Sequence, residues 1–184
     1  MRTTIIFAAL LLLAGCVGTK SQRYSIEPIT AGTSVRSSAR TISVAKVNLP
    51  AYAKEPGIFV QDATGALVPV PKADWADDTE RAMALAIVRN LGSITGARVA
   101  LDPWPLGGVP EAEVRIEVEQ MLVDQSRTMR LSGQFSIRRD IDTLRNAIGQ
   151  FDIQTSAVSL APADVVRAHA AAWRELASVL AKEL

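Results

Sequence analysis

Residues 112–139, AEVRIEVEQMLVDQSRTMRLSGQFSIRR, decide the fold. Val114, Ile116, Val118 and Leu122 share one parity and Glu113, Arg115, Glu117 and Glu119 the other, and successive side chains of a strand point to opposite faces. Met129, Leu131, Phe135 and Ile137 repeat the scheme against Arg130, Gln134 and Arg138. The pattern predicts a half-buried antiparallel hairpin whose loop is Asp124 to Arg127. That loop sets Leu122 opposite Met129, Ile116 opposite Phe135 and Glu113 opposite Arg138 on the wet face. The register is strongly specified, because a slip of one residue turns every apolar side chain into water. Phe151, Ile153 and Thr155, alternating with Asp152 and Gln154, predict a third antiparallel strand.

Beyond that strand, Pro162 breaks the chain and Ala163 to Leu184 predict a long helix. Val166, Trp173, Leu176 and Leu180 lie along its apolar stripe, with Arg167, Arg174 and Glu175 off it. Its Ala-rich middle favours helix and close packing on a sheet. Upstream of the hairpin, Met83, Ala86, Ile87 and Leu91 recur at helical spacing and predict a second long helix, with Gly92 placed to end it. Asp74 is a candidate N-cap, and Asp77 with Glu80 has capping-box spacing should the helix start later. The cluster Asp77, Asp78 and Glu80 suits the positive end of the helix dipole, which accounts for it better than a paired-carboxylate active site does.

Earlier still, Ile42 to Leu49 is apolar on both parities and predicts a central or bulged strand ended by Pro50. Ile58 to Val60 and Leu67 to Val68 flank Ala63-Thr64-Gly65 as a hairpin. Residues 30–40, rich in Ser, Thr and Gly, predict a loop, and Tyr24 to Ile26 begin the folded part. The order of elements argues an α+β fold, a mostly antiparallel sheet with two long helices packed on one face, in a single domain spanning 24–184.

The N-terminus has a different character. Arg2, the apolar run Ile5 to Leu13 and the sequence Leu13-Ala14-Gly15-Cys16 read as a signal peptide over 1–15 that ends in a lipobox. The run is too short to span a bilayer, which takes about 20 apolar residues. Cys16 is the only cysteine, so it belongs to no disulfide within the chain and is the predicted site of lipid attachment. Acylation there anchors the chain to a membrane, with 16–23 as lipidated N-terminus and tether. Val17 stands where inner-membrane retention commonly uses aspartate, which favours the periplasmic face of the outer membrane.

Composition narrows the function. Lys and Arg number 20 against 19 Asp and Glu, without the concentrated basic face that nucleic acid needs. The single histidine, His169, lies one turn before Trp173 and reads as a packed or surface-lining imidazole, because helical spacing supplies it with no catalytic partner. The sequence has no metalloprotease, nucleophile-elbow or Walker motif, so no catalytic residue, metal ligand or cofactor is predicted. Asp140 and Asp142 read as loop residues, and Gly107 and Gly108, between prolines, as a turn. In the segment Asp102-Pro103-Trp104-Pro105-Leu106, Trp104 has two readings: an anchor of low conformational freedom for a partner or for lipid, or a side chain folded over the sheet edge.

Several of these features occur together in one known family. The lipobox ending at Cys16, Tyr24-Ser25-Ile26, Val47-Asn48-Leu49-Pro50-Ala51-Tyr52, the helix from Trp75 to Asn90-Leu91, the Glu-rich strand, its hairpin and the Ala-rich last helix stand in an order that resembles the PqiC-type, or ABC-type transport auxiliary, lipoproteins. Ala53 departs from the pattern, where a larger aliphatic is common, as does Asp74, where a basic residue is frequent. The resemblance implies a non-enzymatic docking subunit that works with an MCE-type periplasmic protein and its transporter subunits in moving lipid between membranes. Assembly of family members into rings makes a homo-oligomer a further expectation, and Trp104, Leu106 and Tyr52 are the candidate contacts to a partner or to phospholipid. The competing expectations are an activator or scaffold for a cell-envelope enzyme and a periplasmic hydrolase using His169.

Overall fold

The computed structural model describes residues 21–27, 34–140 and 145–184; Cys16, the early part of the 30–40 loop and Asp142 fall outside them. Among the described residues eight strands form one open sheet, joined by three helices, two of them long. The hairpin of β6 (Ala112–Val123) and β7 (Thr128–Arg139) is its backbone, and β8 (Ala147–Ser156) extends it on the far side of β7. Ile116 pairs with Phe135 and Glu113 with Arg138, as the alternation predicts.

Closer to the turn the pairing differs. Leu122 faces Arg130 instead of Met129, and Met129 faces Val123, because one extra residue of β6 is accommodated between Val118 and Gln120. The bulge turns Met121 and Val123 toward the core, while Leu122 moves to the opposite parity. The turn itself falls where expected, with Arg127 at φ 65 and the Arg127 N–H bonded to the Asp124 carbonyl at 2.9 Å.

β7 follows one edge of β6 along its whole length, and the other edge is shared. β2 (Thr41–Val44) runs parallel to its start, Asn48 bridges Glu117 in the middle, and β3 (Gly57–Gln61) meets Val123 at its end. The predicted strand to Leu49 is therefore shorter. Its second half stays beside β6 through the Asn48 N–H to the Ile116 carbonyl, 3.0 Å, and the Val118 N–H to the Asn48 carbonyl, 2.9 Å. Pro50 then opens α1 (Ala51–Lys54), a single turn.

β4 (Leu67–Trp75) pairs antiparallel with β3, and β1 (Gln22–Tyr24) lies parallel to the end of β4. Asp74 thus sits in a strand and not at a helix start. The prolines Pro69 and Pro71 are tolerated because the β3–β4 register breaks beside them. β5 (Arg98–Leu101), a strand between helix and hairpin to which the sequence reading assigns no residues, lies parallel to β2 at the opposite margin.

α2 (Thr79–Thr95) and α3 (Pro162–Glu183) lie side by side on one face, α2 over β5 and β2, α3 over β7 and β8. Asp78 caps α2 by accepting the Arg81 N–H at 2.9 Å. The helix passes through Gly92 for one more turn, which buries Ile94, and ends at Gly96 in the left-handed region at φ 70. Trp173, Leu176 and Leu180 of α3 are fully buried, each worth about 1.5–3 kcal/mol of apolar transfer.

Candidate functional site

The segment Val47 to Tyr52 explains itself once β6 is in place. Val47 and Leu49 are buried, and the Asn48 side-chain amide donates to Glu117 Oε1 at 2.6 Å. The Tyr52 ring stands edge-on to Phe59, centroids 6.5 Å apart, and its hydroxyl accepts the Met121 N–H at 2.9 Å. That N–H lies on the edge of β6 between Asn48 and β3, where no strand is present to receive it. Burial raises the Tyr52 pKa, so the phenol stays protonated.

The same segment is tied to α2 by Glu80. Its carboxylate, 6% exposed, bonds Lys46, takes Lys54 Nζ at 2.9 Å and accepts the Leu49 N–H at 3.4 Å. Burial by itself would raise the Glu80 pKa, but the bonds from Lys46, Lys54 and Leu49 outweigh it and hold the group below its ordinary value. The three acids at the helix start therefore divide their work: Asp78 caps, Asp77 pairs with Arg81, and Glu80 clamps the Val47–Tyr52 segment onto the helix. A dipole account fits the first two and is incomplete for Glu80.

His169 is 2% exposed, stands edge-on to Trp75 at 5.3 Å, and neither ring nitrogen has a hydrogen-bond partner. Burial pushes its pKa down to about 4, so the ring is neutral at pH 7. It borders a small void shared with Tyr52 and Met121. This is the packed imidazole of the two sequence readings. Among the described residues no group of three or more His, Cys, Asp or Glu is placed to hold a metal, and no helix is long and apolar enough to cross a membrane.

Trp104, Leu106 and Tyr52 do not converge. β5, β2 and β6 are parallel, so the connection 102–111 must run back along β2 to start β6. α2 fills one face of β2, which leaves the helix-free face for this return, where Ser43 is only 1% exposed. Trp104 on this connection is half-buried, while Leu106 is 49% and Val109 70% exposed. Tyr52 is level with Met121, seven strand residues beyond Val114, on the order of 20 Å along β6 from the point where β5 ends.

A larger concavity than the void at His169 lies elsewhere, and sequence reasoning did not anticipate it. A groove of about 550 Å³ runs between β1 and the first half of α3, with Arg23, Tyr24 and Glu27 on one wall and Val166, Arg167 and Ala170 on the other. Its walls come from opposite ends of the chain. The only local signal was the pair Val166 and Ala170, one turn apart, beside an unexplained Arg167.

Fold and site together define a two-layer α+β domain with a groove beside its N-terminal strand and an apolar loop on its bare sheet face. The chain belongs to the family of ABC-type transport auxiliary lipoprotein components, whose model matches residues 24–181. It is an auxiliary transport component by family, of a kind associated with membranes of the cell envelope. Two solved structures share its fold. An uncharacterized protein aligns over 90% of this chain and 99% of its own at 16% identity and a TM-score of 0.73. A Xanthomonas campestris protein assigned to DUF330 aligns over 88% of this chain and 93% of its own, at 18% identity and a TM-score of 0.67. Comparison with curated proteins returned no match.

Proposed function

We propose that this protein is the outer-membrane lipoprotein of an MCE-type intermembrane lipid transport system, a non-enzymatic docking subunit held at the periplasmic face by acyl chains on Cys16. The observation that carries the reading is the family match across 24–181, which takes in β2 to β8, α2 and nearly all of α3. Its physical support is the combination of a lipobox with a body whose buried titratable groups are spent on packing. Glu80 is clamped by two lysines, and His169 is neutral and enclosed. A domain tethered to one membrane meets a periplasm-spanning assembly at raised effective concentration, so modest contact area suffices for docking.

Affinity purification of the lipidated chain in mild detergent tests the reading. Recovery of an MCE-type protein with its permease and ATPase is expected. Consistent recovery of cell-wall enzymes in their place would overturn it, as would unchanged processing and membrane fractionation of a Cys16→Ser variant.

A further inference from the structure

The β1 wall of the groove is close in sequence to Cys16, the anchor of the proposed function. Arg23 follows Cys16 by seven residues, a span of at most about 25 Å when fully extended, so the groove cannot sit far from the bilayer that holds the acyl chains. Its volume of about 550 Å³ falls within the range of small-molecule sites. Tyr24, Val166 and Ala170 give it an apolar floor, and the guanidinium groups of Arg23 and Arg167 stand at exposed positions on facing walls.

A guanidinium stands on each wall of the groove, which is the feature that suits a phosphate. Lys72, exposed and at φ 59, directly precedes Ala73, the parallel partner of Gln22, and so adds a cation where the tether enters the sheet. The opposing acids are Glu27 on the groove wall, Asp164, which already bonds Arg167, and Asp74, the parallel register partner of Arg23. Arg167 keeps further N–H donors beyond that pair, and Arg23 has its full fork, a geometry suited to phosphate.

We propose that this groove seats a glycerophospholipid with an anionic headgroup, drawn from the leaflet in which Cys16 is anchored. The phosphate lies between Arg23 and Arg167, and the first part of an acyl chain lies along Tyr24, Val166 and Ala170. The inference rests on the reading of the chain as a lipid-anchored transport subunit and adds direct lipid contact, its place and its headgroup class.

The test uses the lipidated chain in dodecyl maltoside micelles doped with phosphatidylglycerol or with phosphatidylethanolamine of the same acyl chains, read by native mass spectrometry. One phosphatidylglycerol per chain is expected, retained in preference to phosphatidylethanolamine. Retention should fall about ten-fold or more in the double variant Arg23→Glu, Arg167→Glu. Ala163→Trp, at an exposed position on the groove wall, should block retention while leaving the melting temperature unchanged. Equal retention of the two lipids, retention indifferent to these substitutions, or free glycerol 3-phosphate held as tightly as the lipid overturns the proposal. Partner recovery is measured on the same wild-type preparation. Lipid retained without a transport partner counts against the transport reading and supports the groove; a partner recovered without lipid overturns the groove alone.

Discussion

Gly133 of β7 faces Val118 of β6 so closely that a Cβ on it would lie 2.1 Å from the Glu117 carbonyl oxygen and 3.0 Å from Val118 Cα. The contact is with backbone, which cannot swing aside, and it sits where the β6 bulge begins. Gly133→Ala should therefore force the two strands apart and cost roughly 1–3 kcal/mol, read as a lower midpoint in urea with an unchanged slope. A midpoint equal to wild type would mean that the bulge does not hold the strands this close.

Glu80 gives the second prediction. Glu80→Gln keeps the shape, removes the charge that Lys46 and Lys54 answer, and should cost about 1–2 kcal/mol at pH 7, discounted because both lysines are substantially exposed. The folded state lowers the Glu80 pKa below its ordinary 4.5, so the stabilisation is complete above that value and is lost as pH falls through the folded one. Urea titrations of the two proteins should converge below pH 4.5. Curves that stay parallel into acid would show that the clamp is not electrostatic.

What the sequence revealed of this architecture follows from the range of the forces involved. The hairpin was legible because Glu113 to Val118 and Gln134 to Arg138 alternate at period two, and burial of one face leaves a single register. The bulge was hidden, because Glu119 looks like any other wet-face residue until Gly133 is seen across from it. The residues of β5 were not legible, since Arg98 to Leu101 is too short to show a period. The start of α2 slipped from Asp78 to Asp74 because several acids could cap, and it takes the pairing of Ala73 to Trp75 with Gln22 to Tyr24, and of Asp74 with Gly57, to tell that the latter is strand. Tyr52 stood out by family resemblance alone, and its bond to Met121 needed the fold. The groove was illegible, for nothing local brings Arg23 to Arg167.

His169 makes acid sensitivity a property of the core. Its pKa falls from 6.5 to about 4 on folding, so between those values the unfolded chain binds a proton that the folded one refuses. Stability should drop by roughly 3 kcal/mol as pH falls across that window, and change no further from this source below it. His169→Leu, which places a similar volume against Trp75, should flatten the profile between pH 6.5 and 4 and leave the Glu80-dependent loss below 4.5 in place. A wild-type profile already flat across the window would sink the assignment.

Leu106 and Tyr52 should separate when tested for docking. Tyr52→Phe leaves the Met121 N–H on the β6 edge without its acceptor and should cost about 1–2 kcal/mol of stability, with recovery of the transport partner intact, since the hydroxyl is already committed within the fold. Leu106→Asp, on the exposed connection across the helix-free face, should change stability by less than about 0.5 kcal/mol. If the partner docks on the Trp104 loop, the variant should nonetheless lower partner recovery several-fold, because a charge in place of an apolar side chain must be desolvated on docking. Normal recovery by Leu106→Asp, alongside a loss for Tyr52→Phe that exceeds its effect on folding, would assign docking to the end of β6 and not to the Trp104 loop.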